Sequence, residues 1–308
     1  MNDNFVTIVE VGPRDGFQPI ESLIPTAQKI ALIDGLYDAG IRRMEATAFV
    51  SEKAIPQLID ASEILAHASS KPDLNVQVLV PSIRQSERAL AAGAQHLSFV
   101  LSVSEKHNMN NVRRTPDDSV EDFRAIMALM PDDACMRVNL ATSFDCPFDG
   151  PVSPENTMAL LEKLVSQAPD AEFCLCDTTG RVTPNRVNNA FHRAKAHFPQ
   201  VQKWAFHGHD TYGLGVANCL AAMSAGVEVL DSSFAGLGGC PFAPGATGNV
   251  STEDLVWTLT EMGFSSGINL ERLLVSAMQG AAIPGASVGG RVRQALTAAR
   301  YNQIGERS

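Results

Sequence analysis

The sequence predicts an α/β protein: a TIM (β/α)8 barrel with extra C-terminal helices, forming one catalytic domain over residues 1–308. Three observations carry that expectation. Short β-rich runs alternate with amphipathic stretches along almost the whole chain. The strand-like runs come to eight, the number that closes a parallel barrel. No Gly-x-Gly-x-x-Gly follows the first of them, which counts against the runner-up, an open doubly wound sheet. In order, strand 6–11 precedes helix 26–39, where Leu32, Leu36 and Ala39 keep the spacing of one buried face and Gly40 marks the stop. Strand 43–49 precedes helix 55–68, and strand 74–80 precedes helix 83–92, which stops at Gly93. Strand 96–102 and helix 120–129 follow. Strand 135–141 leads to helix 154–166, where Ser153-Pro154-Glu155 sets a capping hydroxyl before a first-turn proline. Thr183-Pro184 does the same for helix 184–197 after strand 172–176. Strand 203–207 precedes helix 215–225 and the stop signal Gly226. Strand 229–234 precedes helix 251–262, where Ser251-Thr-Glu-Asp254 puts carboxylates in the first turn and Gly263 ends it. Stretches 269–280 and 291–301 read as helices, so 264–308 decorates the barrel edge.

With 45% hydrophobic and 19% charged residues, the composition is that of an ordinary globular protein. A formal net charge of −10 argues against a nucleic-acid partner, while local arginines can still hold a small anion. No apolar run reaches the ~20 residues of a membrane span. Met1-Asn-Asp-Asn-Phe5 has neither signal-peptide nor transit-peptide layout, and Glu306-Arg-Ser308 is not a peroxisomal address. The expectation is a cytoplasmic protein with no membrane partner. The six cysteines are scattered and read as reduced thiols. Cys174 and Cys176 lack the second pair that would suggest a zinc site.

Chemistry in such a barrel gathers at the C-terminal ends of the strands. Arg14 and Asp15 follow the first strand, Glu45 lies in the second, Arg137 and Asn139 in the fifth, and Asp177 ends the sixth. His207 and His209 stand two apart at the end of the seventh and therefore point to one side. Two converging imidazoles make a face for a divalent cation; the plainer reading is a hydrogen-bonded polar pair at a strand end. A charge inside a barrel is costly unless paired or bound to a metal. Glu10, Arg14, Asp15, Glu45, Arg137 and Asp177 therefore read as a site, with part of the set an ion-pair network. Glu10 and Glu45, further from the strand ends, read as braces that orient Arg14 and the histidines.

Three segments carry a resemblance: Val9-Glu-Val-Gly-Pro-Arg-Asp-Gly-Phe-Gln18, His207-Gly-His-Asp-Thr-Tyr-Gly213 and Gly236-Leu-Gly-Gly-Cys-Pro-Phe-Ala-Pro-Gly-Ala-Thr-Gly-Asn249. In order and spacing, nearly the whole chain resembles the 3-hydroxy-3-methylglutaryl-CoA (HMG-CoA) lyase family, within the divalent-metal barrels that make or break carbon–carbon bonds. The resemblance implies Asp15, His207, His209 and Asn249 as metal ligands and Mg²⁺ or Mn²⁺ as the ion. It implies catalytic roles for Arg14, Asp15, His207, Glu45, Asp177 and Cys240, with Glu10 beside the supporting acids. The implied reaction cleaves a β-hydroxy thioester to acetyl-CoA and acetoacetate, as in leucine degradation. Arg14 would stabilise charge on the thioester oxygen, and Cys240, in a glycine-rich loop, would return a proton to the enolate. The proton acceptor stays open between a water, an aspartate and a histidine.

The chain departs from the family pattern around the substrate. Ala48 stands where a serine is usual, Asn139 where many members have an aromatic, and Cys174 replaces a serine. Pro19-Ile20 follows Gln18 where a polar residue is common, and strand three ends in Val80-Pro81-Ser82. The metal and arginine machinery is kept and the pocket wall altered. Another 3-hydroxy-3-alkylglutaryl-CoA or branched β-hydroxyacyl-CoA is thus the alternative substrate. A condensing enzyme or ketoacid aldolase, and a non-catalytic metal-binding barrel, are the alternative functions. An acyl-CoA is the expected partner; a homodimer through the C-terminal helices is compatible with the pattern and not demanded by it.

Overall fold

The computed structural model of the chain describes residues 4–239 and 248–305, without the side chains of 299–305. Eight parallel strands close on themselves: β1 (Thr7–Glu10), β2 (Arg43–Ala48), β3 (Asn75–Val80), β4 (His96–Ser102), β5 (Cys135–Ala141), β6 (Glu172–Asp177), β7 (Trp204–Gly208) and β8 (Val229–Ser232). β1 completes the ring by pairing with β8 from Thr7↔Val229 to Glu10↔Ser232 and with β2 at Glu10↔Met44. Around it lie α1 (Thr26–Asp38), α2 (Ala61–Ser69), α3 (Ile83–Ala91), α4 (Glu105–Asn111), α5 (Pro116–Leu129), α6 (Pro154–Val165), α7 (Pro184–His197), α8 (Gly215–Ser224) and α9 (Thr252–Glu261). α10 (Leu270–Ala281) and α11 (Arg291–Gly305) are the extra C-terminal helices. The expected TIM barrel is present.

The two-residue period of each strand divides two environments. In β6, Phe173 and Leu175 face the helices: Phe173 stacks on Trp204 at 6.0 Å between centroids, and Leu175 lies with Leu161 and Ala194. Glu172, Cys174 and Cys176 turn inward instead, and Glu172 meets Arg43 of β2 across the barrel at 2.7 and 2.8 Å. The apolar core therefore fills the shell between barrel and helices, where each fully buried Phe or Leu contributes about 1.5–3 kcal/mol. The barrel interior holds paired charges.

Element ends differ from the sequence reading where caps outweigh hydrophobic period. α2 begins at Ala61, because Pro56 opens a separate 3₁₀ turn over Pro56–Leu58. α5 begins at Pro116, set by a capping box in which Thr115 Oγ1 accepts from Asp118 N at 3.1 Å and Thr115 N donates back to the Asp118 carboxylate at 3.2 Å. α4 is additional to the sequence reading: Glu105-Lys-His-Asn-Met-Asn-Asn111 has no apolar period, and it starts on the Ser104 cap. At the C-terminus, the Asp254 carboxylate accepts from Arg291 N and Val292 N at 2.8 Å each, docking the start of α11 on α9. No described helix is long and apolar enough to cross a membrane.

Candidate active site

The backbone after β1 turns through a π-type coil at Gly12–Gly16, in which the Val11 carbonyl accepts from Arg14, Asp15 and Gly16. Gly12 is needed there, since a Cβ would stand 2.4 Å from the Phe234 ring. The coil delivers Arg14 and Asp15 side by side to the barrel mouth. Arg14 donates through Nε to Glu45 Oε2 at 2.5 Å and pairs with Asp15 through another nitrogen. Glu45 sits where β2 shifts register between Glu45 and Thr47, a bulge that re-aims side chains. Burial pulls the Arg14 guanidinium down, but Asp15 and Glu45 outweigh it and hold it above its ordinary value.

Asp15, His207 and His209 each offer one ligand atom, and those atoms lie within 4.8 Å of one another. Asn249 is drawn alongside by an antiparallel bridge to His209. Its Nδ2 donates to Asp15 Oδ2 at 2.7 Å and to the Leu237 carbonyl at 3.0 Å. Gly238 lets it approach, with φ +134° and space for no Cβ beside the amide. Two buried polar atoms in this group, His209 Nδ1 and Asn249 Oδ1, have no partner among the described residues. An unpaired buried polar atom costs about 1–3 kcal/mol, and these two, on residues paired by that bridge, are free to take a ligand. Two imidazoles, a carboxylate and an amide oxygen suit a hard divalent cation.

The charges are already separated. Burial raises the Asp15 carboxyl, yet Arg14, the two histidines and Asn249 together bring it down to about 2. His207 is lowered by burial but lifted to about 9 by its hydrogen bond to Asp231 and by nearby Cys176 and Asp15. His209 is pushed down to about 4 by burial and by His207.

Asp231 is a residue that the sequence reading missed. Its Oδ2 accepts from His207 Nδ1 at 3.0 Å and from Arg137 at 2.6 Å. Arg137 also donates to Asn139 Oδ1 at 2.9 Å and to Glu172 at 3.2 Å, so the interior ion pairs run up to the histidines. Strand parity alone marks it as an inward-facing acid of β8; its pairing in register with His207 of β7 is given by the fold.

Two expectations need correction. Glu10 does not touch Arg14 or the histidines. It lies on the other side of β1, where its carboxylate accepts from Gly12 N at 2.7 Å, Phe234 N at 3.0 Å and Thr252 Oγ1 at 2.7 Å. It braces the loops that carry the site rather than the site. Asp177 also stands apart: two residues of alternation beyond Phe173 and Leu175, it faces outward and accepts from Val182 N at 3.4 Å. Burial raises its carboxyl to about 7, against backbone donors that pull it down. Cys240 lies outside the described residues.

The group opens into a cavity of about 790 Å³. Arg14, Asp15, His207, His209 and Asp231 form its polar end; Val50, Ile55, Leu79 and Val100 form an apolar wall; Lys53 and Arg113 stand among its lining. Asn139 also lines it and is tied to Ser98 Oγ at 2.7 Å. Ala48 is buried against Leu58 and Leu79, and Cys174 packs on Cys176 with 3.9 Å between sulfurs.

Comparison with known proteins gives a consistent picture. The family described as HMGL-like matches residues 5–278. Mitochondrial hydroxymethylglutaryl-CoA lyase of Rattus norvegicus is 43% identical over 270 residues, 87% of this chain and 82% of that one. Hydroxymethylglutaryl-CoA lyase from Pseudomonas aeruginosa superposes with a TM-score of 0.89 at 34% identity, covering 96% of this chain and 98% of that one. An A. baumannii HMG-CoA lyase, in complex with coenzyme A and 3-methylmalate, gives 0.89 at 35% identity and 96% coverage of each chain.

Proposed function

The chain belongs to the HMGL-like family and is a carbon–carbon lyase, and from that premise we propose that it cleaves 3-hydroxy-3-methylglutaryl-CoA to acetyl-CoA and acetoacetate with Mg²⁺ or Mn²⁺. The observation that carries this is the meeting of Asp15, His207 and His209 beside Arg14, with two unpartnered buried atoms, at the polar end of a cavity large enough for an acyl-CoA head. Asp15, His207, His209 and Asn249 would hold the ion. When bound, a divalent cation there acidifies the substrate's tertiary hydroxyl and neutralises charge beside it. A base takes the hydroxyl proton, the C2–C3 bond breaks, and C3 becomes the ketone of acetoacetate. The electron pair passes into the thioester as an enolate. Arg14, fixed by Glu45, directs its free donors at that oxygen. Cys240 returns a proton to C2, which completes acetyl-CoA.

The test is release of acetyl-CoA and acetoacetate in equal amounts from the thioester, abolished by EDTA and restored by Mg²⁺ or Mn²⁺. Failure to turn over any branched hydroxyacyl-CoA sinks the reading. Asn139 favours a second substrate reading, since a short polar side chain at the cavity leaves room where many family members carry an aromatic. A panel of 3-hydroxy-3-alkylglutaryl-CoA thioesters separates the two by kcat/KM. Cys240→Ala separates lyase from aldolase: it cripples the first and leaves the second active. A place in leucine degradation, the cytoplasm as compartment and a homodimer as assembly complete the reading. The described cysteines are free thiols, which suits a reducing compartment.

A further inference from the structure

We infer that Asp231 is a positioning residue for the cation site: it fixes which nitrogen of His207 faces the ion, and Arg137 holds it in place. The inference rests on the cation reading above. His207 and His209 are not equivalent. His207 Nδ1 is engaged by Asp231 Oδ2 at 3.0 Å, whereas His209 Nδ1 has no partner among the described residues. An ionised carboxylate can only accept, so the hydrogen of that bond belongs to Nδ1, and the lone pair that a bound ion would take is that of Nε2. The same Oδ2 receives Arg137 at 2.6 Å. Arg137 is held in place because its other two nitrogens are engaged as well, Nε by Asn139 at 2.9 Å and a terminal nitrogen by Glu172 at 3.2 Å. Glu172 is itself gripped by two nitrogens of Arg43 at 2.7 and 2.8 Å. A rigid chain of charge thus crosses the barrel from β2 through β6, β5 and β8 to His207 on β7. Carboxylates that orient a ligating imidazole commonly change metal affinity by about 10–100-fold when removed.

If the chain of charge only stabilises the fold, D231N lowers the melting midpoint and leaves the Mn²⁺ affinity of the folded protein unchanged. If Asp231 positions His207, D231N weakens Mn²⁺ binding by about 10–100-fold, read from the free-ion EPR signal, with circular dichroism preserved. A measurement on the wild-type protein needs no variant to fold well. In Mg²⁺-saturated protein carrying ¹⁵N-histidine, the His207 signals, assigned by their loss in H207Q, should show hydrogen on Nδ1 and none on Nε2. Hydrogen on Nε2 overturns the inference, and so does a D231N protein that binds Mn²⁺ like wild type. A wild-type protein that binds neither ion removes the cation site itself, and this inference with it.

Discussion

Arg14 sits between two carboxylates, and its neighbour Asp15 is the one it shares with the two histidines of the candidate cation site. Glu45 takes Nε and a terminal nitrogen, and Asp15 takes the other terminal nitrogen. A guanidinium has five donors, so the pairing that makes its burial tolerable leaves hydrogens to aim at the cavity. Its charge would also compete with a cation held at Asp15. Two consequences follow for Arg14→Met. The turnover number should fall by at least about 10²–10³-fold, the usual loss when a donor to a developing oxyanion is removed. Mn²⁺ binding should be unchanged or tighter, because a positive charge beside Asp15 has gone. Steady-state kinetics and Mn²⁺ EPR on the same preparation check both. Loss of ion binding in Arg14→Met would mean that Arg14 builds the cation site instead of serving the thioester oxygen.

At the scale of strands and loops, legibility depends on parity and on capping. His207 and His209 are legible because an i, i+2 pair at a strand end can only share a side. Arg14, Asp15 and Glu45 are legible as polar residues placed where barrels keep their chemistry. Asp177 misleads because its place in the sequence, last in a strand, suggests the barrel mouth while its parity does not: Glu172, Cys174 and Cys176 face in, so residue 177 faces out. Asp231 escapes a reading of the sequence because only the register of β8 against β7 places it under His207. Glu10 serves different loops from those expected for the same reason, since it faces Ser232 and Thr252 rather than the barrel axis. Its position makes a pH prediction. Burial holds the Glu10 carboxyl up at about 8, against the pull of its three donors. The folded state then keeps a proton that the unfolded chain has released above its ordinary value near 4.5. Stability from this group is highest below that value and declines as pH rises towards about 8. Glu10→Gln should therefore gain on wild type between about pH 5 and pH 8, at roughly 1.4 kcal/mol for each step of one in pH and so by up to a few kcal/mol. Urea midpoints across that range measure it; a parallel pH profile for the two proteins would mean that Glu10 is ionised throughout.

Taken whole, the molecule packs its main apolar core between barrel and helices and holds paired charges inside the barrel, which gives the site a stiff floor. The cost is that the mouth is completed only when distant parts of the chain meet. Asn249 and Asp15 are 234 residues apart, and between them in sequence come His207 on β7 and His209 just past its end. An unfolded chain cannot gather these groups, so an ion they hold binds the folded state alone. Binding then stabilises by RT ln(1 + [ion]/Kd), about 2.7 kcal/mol at a free-ion concentration 100 times Kd. For a chain of this length that is a rise of roughly 5 °C in melting midpoint, at about 2 °C per kcal/mol. Calorimetry with and without Mn²⁺ should show the rise, EDTA should abolish it, and His209→Ala should not show it at the same Mn²⁺ concentration. A rise that survives in His209→Ala would place the ion somewhere other than the barrel mouth. The direction of that result also bears on Asn249: Asn249→Ala removes one unpartnered oxygen together with the brace on Asp15, so its ion-dependent rise should fall between those of wild type and His209→Ala.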